Sequence, residues 1–464
     1  MSEAQPLFSP PLETMRQRVS EGQTRPLSWR LEQLGRLEAL LEDAESGLVS
    51  ALANDLGKPP LEAYFELVGL RQELKFTRRH LKRWMAGQKI PLPPWSWPAR
   101  ARVVPEPLGC VLILGPWNYP FQLCLQPLVS ALAAGNTAVI KPSELAPHTS
   151  GLIAERVGDH FSPHIVQVVQ GDGQVGAALL QHRFDHIFFT GGSRVGRLVM
   201  AAAACHLTPV TLELGGKSPA IVLADAPITT TARRLVWGKG LNSGQTCVAP
   251  DHLLVVPEVV PSLVEAIASE IHRLYGADPL SSADLGRVVS QRHFDRLVGL
   301  LSQAEERGQV LLGGRRDGNQ RKIEPTLLRV DHPDDDPLMQ EELFGPLLPL
   351  ITVPNLEGAI ARVQSGPKPL ALYLFGQRPQ DRELVRLRTS SGSLAFNDVV
   401  VQVGVPQLPL GGVGESGMGA YHGYAGFQTF SHQRSILEQR FWPDIPFRYP
   451  PYGGKLALVK RLMG

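Results

Sequence analysis

The sequence predicts an α/β protein built as two doubly wound lobes, and three observations lead there. Short Val- and Ile-rich runs alternate with helical stretches, the pattern of βαβ units around a parallel sheet buried on both faces. The alternation occurs twice, once from Cys110 to Thr190 and again beyond Glu213. The 45 glycines and 40 prolines follow no G-x-y period, so they mark tight connections between many short elements. At 464 residues the chain has room for roughly three domains of about 150 residues each.

The elements follow in chain order. Trp29, Leu31, Leu34, Leu37, Leu40, Leu41, Leu48 and Leu52 recur at helical intervals, and Gly57 followed by Pro59 and Pro60 supplies a stop. Two or three amphipathic helices therefore open the chain. A second helical run ends in KFTRRHLKRW (Lys75 to Trp84), basic with interleaved aromatics. It reads as a solvated helix face with snorkelling Lys and Arg stems, because the chain around it is nearly neutral. IPLPPWSWPARARVVPEP then breaks helical periodicity with prolines and reads as an extended connection or edge ribbon. Strands follow at VLIL (Val111 to Leu114), TAVI (Thr137 to Ile140), IVQVV (Ile165 to Val169) and HIFFT (His186 to Thr190). Gly135-Asn136 closes one of the helices between them. The second series has PAIVL, HLLVV, VLLGG and LALYLF, separated by helical stretches such as SLVEAIASEIHRLYG. DHPDDDP (Asp331 to Pro337) reads as an acidic surface loop, with a carboxylate cluster for a cation as the alternative.

Composition excludes several function classes. Lys and Arg total 46 against 44 Asp and Glu, a net charge of +2, which argues against a nucleic-acid footprint and points to small molecules. The four cysteines show no C-x-x-C spacing, so neither a zinc ribbon nor a redox dithiol is expected, and a reduced cytoplasmic protein is. MSEAQPLFSP has no basic then apolar leader pattern, and no apolar run reaches the ~18 residues that span a bilayer. H-E-x-x-H and G-x-S-x-G are both absent, so no metal site and no serine hydrolase are expected.

A few segments could carry chemistry. HIFFT runs into Gly191-Gly192-Ser193-Arg194-Val195-Gly196 and then a helix. A glycine-rich turn there exposes backbone N–H groups and a positive helix end, which suits phosphate. Its G-x-x-x-x-G spacing is neither the Rossmann fingerprint nor a P-loop, so a plain turn stands beside that reading. Lys141 and Glu144 follow a predicted strand in KPSE, at the sheet edge where α/β proteins bind ligands; a cation and an acid there suit ribose hydroxyls. The alternative is a surface lysine followed by a capping serine. Cys247 lies in the polar, glycine-containing segment LNSGQTCVAPD, whereas Cys110, Cys124 and Cys205 adjoin apolar or alanine runs and read as packing. A thiol on such a loop is a candidate nucleophile. Carbonyl attack needs oxyanion donors and a hydrolytic step needs a base, for which Asn118 in GPWNYP and Glu213 in LELGGK are candidates. Glu213 as a capping or ion-pairing residue, and a papain-like pairing of Cys247 with His252 or His422, stay open from the residues alone.

Taken in order, GPWNYP, KPSE, FFTGGSRVG, LELGGKSP, GQTCVAP and EELFGP resemble the motif series of the aldehyde dehydrogenase superfamily, from about Gly109 to PLGGVGESGMGAYHG. The tyrosine of PWNYP, the segment CVAPD and the terminal RYPPY look most like the class 3 branch, which acts on fatty and aromatic aldehydes. The resemblance implies that Cys247 is the nucleophile, Glu213 the general base and Asn118 an oxyanion donor. It implies that Lys141 and Glu144 contact the adenosine ribose, with Trp117 and Ser143 in the same cofactor-lining segments. Gly191 and Gly196 correspond to the turn near the pyrophosphate, and Glu342 and Phe344 to residues that position the nicotinamide ribose and ring. Gly192 stands where many relatives carry Ser.

The implied architecture is an aldehyde dehydrogenase-like fold: a Rossmann-like NAD(P)-binding lobe from residues 1–84 and 101–212, and a catalytic lobe from 213–425. A small β oligomerisation element and tail come from 85–100 and 426–464. The implied reaction is NAD(P)-dependent oxidation of a medium or long aliphatic or aromatic aldehyde to its acid through a thiohemiacetal and a thioester, in a cytoplasmic homodimer. NAD is the expected cofactor, with NADP also used, because the Glu144 carboxylate repels a 2′-phosphate. Two alternatives remain: transfer of the acyl group to coenzyme A, and a binding or structural protein on the same scaffold. KLALVKRLMG carries neither a terminal cysteine nor an apolar anchor, so at most a weak peripheral membrane association through its basic residues is expected.

Overall fold

The computed structural model describes Phe8, residues 11–444 and residues 446–463. Helices α1 (Leu12–Ser20), α2 (Leu27–Leu56) and α3 (Pro60–Met85) come first. The α2 stop lies where the sequence places it: Gly57 adopts φ 62° and its N–H bonds back to Ala53 O, while Pro60 opens α3. Leu34, Leu37, Leu41, Leu48 and Leu52 are buried along α2. The basic end of α3 is a packed helix end, with His80 stacked on Trp84 and tilted against Phe76, and with Leu81 and Trp84 buried.

Two short strands follow, β1 (Gln88–Ile90) and β2 (Arg100–Pro107). The first α/β series then runs β3 (Cys110–Leu114), α4 (Pro120–Ala134), β4 (Thr137–Lys141), α5 (Pro147–His160), β5 (Val166–Val168), α6 (Gly173–Leu179), β6 (His186–Gly191), α7 (Ser193–Ala204) and β7 (Val210–Leu214). The second contains β8 (Pro219–Val222), α8 (Ile228–Gly240), β9 (His252–Val255), β10 (Val310–Leu312) and a hairpin of β11 (Arg316–Asp317) with β12 (Lys322–Ile323). It continues with β13 (Thr326–Arg329), β14 (Leu347–Thr352), β15 (Ala371–Phe375) and β16 (Ser393–Phe396). Strands β17 (Gly417–Met418) and β18 (Ser431–Glu438) close the chain's sheets.

The first sheet has the order β17-β7-β6-β3-β4-β5, parallel except for β17. The second has the order β10-β13-β14-β9-β8-β15-β16, parallel except for β10. Both are doubly wound, as the sequence predicts. In the first sheet β3 has β4 on one side and β6 on the other, so the strand order reverses there and opens a crevice at the carboxyl ends.

Three features differ from expectation. The proline-rich ribbon is no edge: β2 is the middle of a three-stranded sheet, between β1 and β18. Its prolines are tolerated because β1 covers only Ala101–Val103, leaving one side of Pro105 and Pro107 without a partner strand. That sheet takes in Arg100–Pro107, of which the expected boundaries place 101–107 in the first lobe, and β17 pairs with β7 of the first sheet before residue 425. Cys205 is exposed while Cys110 and Cys124 are buried. Along α7 the buried positions are Gly196, Val199 and Ala203, a stripe that leaves Cys205 outside. In the acidic run Asp334 pairs with Arg362, and Asp336 accepts the Leu338 N–H and the Gln309 amide. Among the described residues no group of three His, Cys, Asp or Glu side chains is placed to hold a metal.

Asn136 joins three parts of this architecture. Its Oδ1 accepts the N–H groups of Leu108 (2.7 Å) and Gly109 (2.9 Å), and its Nδ2 donates to Ala131 O (3.2 Å) and Phe430 O (2.8 Å). Each buried group left unbonded costs about 1–3 kcal/mol. Asn136→Ala is therefore expected to lose about 3 kcal/mol or more in denaturant unfolding; a loss under about 1 kcal/mol would contradict this role.

Candidate active site

The site lies at the carboxyl ends of the first sheet. Lys141 ends β4 opposite Leu114, and its Nζ bonds Glu144 Oε2 at 2.6 Å. Ser143 Oγ accepts the Leu145 N–H at 3.3 Å and so shapes the KPSE turn. Gly191 ends β6, and Gly192 precedes α7 with no side chain to cap it, which leaves the N–H groups of Ser193 and Arg194 uncapped and suited to an anion, while the Val195 N–H bonds Gly192 O. Gly191 and Gly196 are needed for close packing. A Cβ at Gly191 would meet the Phe189 ring at 2.5 Å, and one at Gly196 would meet Leu214 at 2.9 Å. At Gly192 a Cβ would meet nothing within 4 Å.

The second sheet supplies the facing wall. A Cβ at Gly215 would lie 2.0 Å from the Glu342 carboxylate, so the Gly-Gly turn lets that acid approach the backbone. Phe344 adopts φ 49°, and its ring meets Trp117 edge-on at 5.3 Å; Trp117 also meets His293. The loop carrying Glu342 and Phe344 is clamped. Asp251 Oδ1 accepts the Leu343 N–H at 2.9 Å, and Lys217 Nζ donates to Asp251 Oδ2 (2.5 Å), Leu338 O (2.9 Å) and Glu341 O (3.0 Å).

Cys247 follows a backbone kink at Asn242 and Ser243, both with positive φ. Asn118 Nδ2 donates to Gln245 O (3.1 Å), Asn242 Nδ2 donates to Asn118 O (2.8 Å), and Tyr119 Oη shares a 2.7 Å hydrogen bond with Thr246 Oγ1. A primary amide has two N–H donors, so Asn118 keeps one for another oxygen. Cys247 lines a cavity of about 370 Å³ with Tyr119, Trp237, Leu241, Val400 and Tyr421. Of the histidines considered as partners, His422 has neither ring nitrogen hydrogen-bonded and His252 sits beside Asp251.

The electrostatics are those of a dry crevice. Burial, with Glu342 and Glu213 nearby, pushes the Cys247 thiol up to about 12, although the N–H groups of Cys247 and Val248 favour its thiolate. Glu213, on β7 beside Thr190, is held well above the usual carboxylate range by burial, and its Oε1 has no partner. Burial, and next Asp251, raise Glu342 to about 8. Burial also lowers Lys239 to about 8.

A family model described as the aldehyde dehydrogenase family matches residues 12–436. This chain belongs to that family. It is 45% identical over 452 residues to aldehyde dehydrogenase family 3 member H1 of Arabidopsis thaliana, covering 97% of this chain and 93% of that one. It is 43% identical to the dimeric NADP-preferring aldehyde dehydrogenase of Rattus norvegicus, covering 95% and 97%. A solved structure of Staphylococcus aureus AldH in a substrate-bound state superposes with a TM-score of 0.94 at 40% identity, covering 97% of this chain and 98% of that chain. The aldehyde dehydrogenase described here is thus an oxidoreductase acting on aldehydes with NAD or NADP.

Its residues fit that cofactor. The uncapped start of α7, the turn carrying Trp117 and the Lys141–Glu144 pair follow the carboxyl ends of the neighbouring strands β6, β3 and β4, where a dinucleotide could be held, with Phe344 against Trp117. Sequence reasoning missed Lys58, Glu62, Glu66, Lys217 and Asp251. Lys217 and Asp251 could have been found as charged residues inside the glycine and cysteine motif segments. Glu62 and Glu66 carry a signal in their spacing of four, which sets two carboxylates on one face of a helix otherwise rich in buried apolar residues, whereas Lys58, in the connection before that helix, carries none.

Because the thiol is held protonated, alkylation of Cys247 in the ligand-free protein is expected to climb steadily between about pH 7 and about pH 9, without a plateau. Iodoacetamide labelling read by peptide mass checks this, and a plateau below about pH 8 would contradict it.

Proposed function

We propose that Cys247 attacks the aldehyde, Asn118 holds the oxyanion and Glu213 activates the hydrolytic water. The observation that carries this reading is the Asn118 amide, tied by one hydrogen bond to the loop bearing Cys247 and free to make a second. The Cys247 thiol loses its proton to water, its sulfur adds to the carbonyl carbon, and the oxygen that becomes negative is met by the spare Asn118 N–H and the backbone N–H of Cys247. A nicotinamide cofactor, when bound, would supply the acceptor for the hydride lost as the carbonyl re-forms. Cys247 then holds a thioester. Glu213, once ionised, takes a proton from water as the oxygen–carbon bond forms, the carbon–sulfur bond then breaks, and the same proton passes to the sulfur, which restores both the thiol and the Glu213 carboxylate. The unbonded Glu213 Oε1 supports this base role and argues against acyl transfer to coenzyme A.

Lys141 and Glu144 are assigned to the adenosine ribose, with Ser143 and Trp117 beside them; Gly191 and Gly196 shape the pyrophosphate turn, and Glu342 and Phe344 face the nicotinamide ribose and ring. Glu144 favours NAD, with NADP also accepted. The largely apolar cavity supports medium or long aliphatic or aromatic aldehydes. We assign cofactor binding to the first lobe, the nucleophile to the second, with Asn118 and Glu213 reaching it from the first sheet, and oligomerisation to the three-stranded sheet. A homodimer is supported by the rat relative being named dimeric. Four free cysteines support a reducing, cytoplasmic setting. No described helix is long and apolar enough to cross a membrane.

Glu213→Gln is expected to give a burst of reduced cofactor near one equivalent per subunit but to lose steady turnover by about 100-fold or more, whereas Cys247→Ala gives neither. Stopped-flow absorbance checks both, and full turnover by the cysteine variant would overturn the assignment. Steady-state kinetics with each cofactor are expected to favour NAD or to show comparable use; a NADP preference above ~100-fold in kcat/KM, about 2.7 kcal/mol, would contradict the Glu144 argument.

A further inference from the structure

We infer that a buried ion pair, Lys58–Glu66, is the positioning element of the oxyanion site, acting through Asn118; the inference rests on the proposed role of Asn118. Neither side chain is exposed, and Lys58 Nζ bonds Glu66 Oε1 at 2.7 Å. The other oxygen of Glu66 accepts the N–H groups of Phe121 (3.1 Å) and Gln122 (2.9 Å), at the start of α4. That helix has no side-chain cap of its own, so Glu66 caps it from α3. Asn118 lies two residues before Pro120, the first residue of α4, and the first turn therefore sets where its amide stands.

Lys58 holds the same turn from a second direction. Its Nζ lies 3.8 Å from the centre of the Tyr119 ring, whose hydroxyl bonds Thr246, the residue before Cys247. One turn of α3 away, Glu62 Oε2 accepts the Asn242 N–H at 2.8 Å, and Asn242 in turn bonds Asn118 O. Glu62 and Glu66, one turn apart on α3, and Lys58, in the connection just before it, thus grip both the segment that presents the amide and the loop that presents the thiol. Burying two ions is costly, and an apolar pair of similar volume would hold a core as well. What an apolar pair cannot do is accept two helix N–H groups and press a ring, and those contacts converge on Asn118.

The test uses the full-length enzyme with Lys58→Met/Glu66→Gln, which removes both charges together and avoids stranding one. The expected result is a fall of about tenfold or more in the pre-steady-state rate of cofactor reduction, with aldehyde KM and cofactor Kd within about threefold of the parent. Combined with Asn118→Ala, the pair variant is expected to add less than about twofold to the loss that Asn118→Ala causes alone. A loss that multiplies with that of Asn118→Ala would overturn the inference, as would a lowered Tm with an unchanged rate. If Asn118→Ala is slow while the pair variant is fast, this inference fails and the oxyanion reading stands; if Asn118→Ala is itself fast, that reading fails first and takes this inference with it. Glu66→Asp keeps both charges but draws the carboxylate back by one methylene, and the same rate and non-additivity tests on it decide the matter if the neutral pair does not fold.

Discussion

The site depends on one seam: the hydrogen bonds that join the turn after β3 to the loop before β9. Asn118 and Tyr119 come from the switch point of the first sheet, and Gln245, Thr246 and Cys247 from the second lobe. A thiol and the donor for its oxyanion must agree in position to within a fraction of an ångström, yet they lie on segments 127 residues apart in sequence. Direct bonds across the seam replace the precision that neither loop has alone. The rest of the fold can be understood as backing for those bonds, from the packed sheets to the clamp of Lys217 and Asp251 on the neighbouring loop.

The chemistry around that seam is governed by dehydration. Cys247, Glu213 and Glu342 are all raised by burial, and the two carboxylates further raise the cost of ionising Cys247. These three groups consequently favour their protonated forms. A positive charge brought among them would favour the ionised forms together, so nucleophile and base gain strength only when the site is filled. That coupling protects the thiol from solvent chemistry between turnovers. Asp251 shows the opposite balance: burial would raise it, but Lys217 holds it well below the usual carboxylate range, as befits an anchor that never changes charge.

What could be read from the sequence follows from where the information is stored. The β-strands at VLIL, TAVI and HIFFT are legible because parallel strands buried on both faces are written as continuous apolar runs. The Cys247 loop is legible because a thiol among Gly, Gln, Ser and Thr has no packing explanation. Strand β14 is harder, since Pro349 lies within it and argues against a strand, and β13 spans only Thr326–Arg329. Cys205 was misread because an alanine run has no obvious inside, and one position of helical phase decides burial. Glu66 could not be assigned at all from its neighbours: its partners Phe121 and Gln122 lie 55 and 56 residues away. A carboxylate on an apolar helix face marks that something must satisfy it, and only the fold says what.

The central claim is that the thiol of Cys247, and no other, carries the acyl group. Intact and peptide mass spectrometry of the Glu213→Gln variant, quenched in acid after mixing with octanal and NAD, tests it directly. The account predicts an adduct equal to the aldehyde less two hydrogens on the peptide containing Cys247, and unmodified Cys110, Cys124 and Cys205. An adduct on another cysteine, or unmodified Cys247 in protein that has reduced a stoichiometric amount of cofactor, would contradict it.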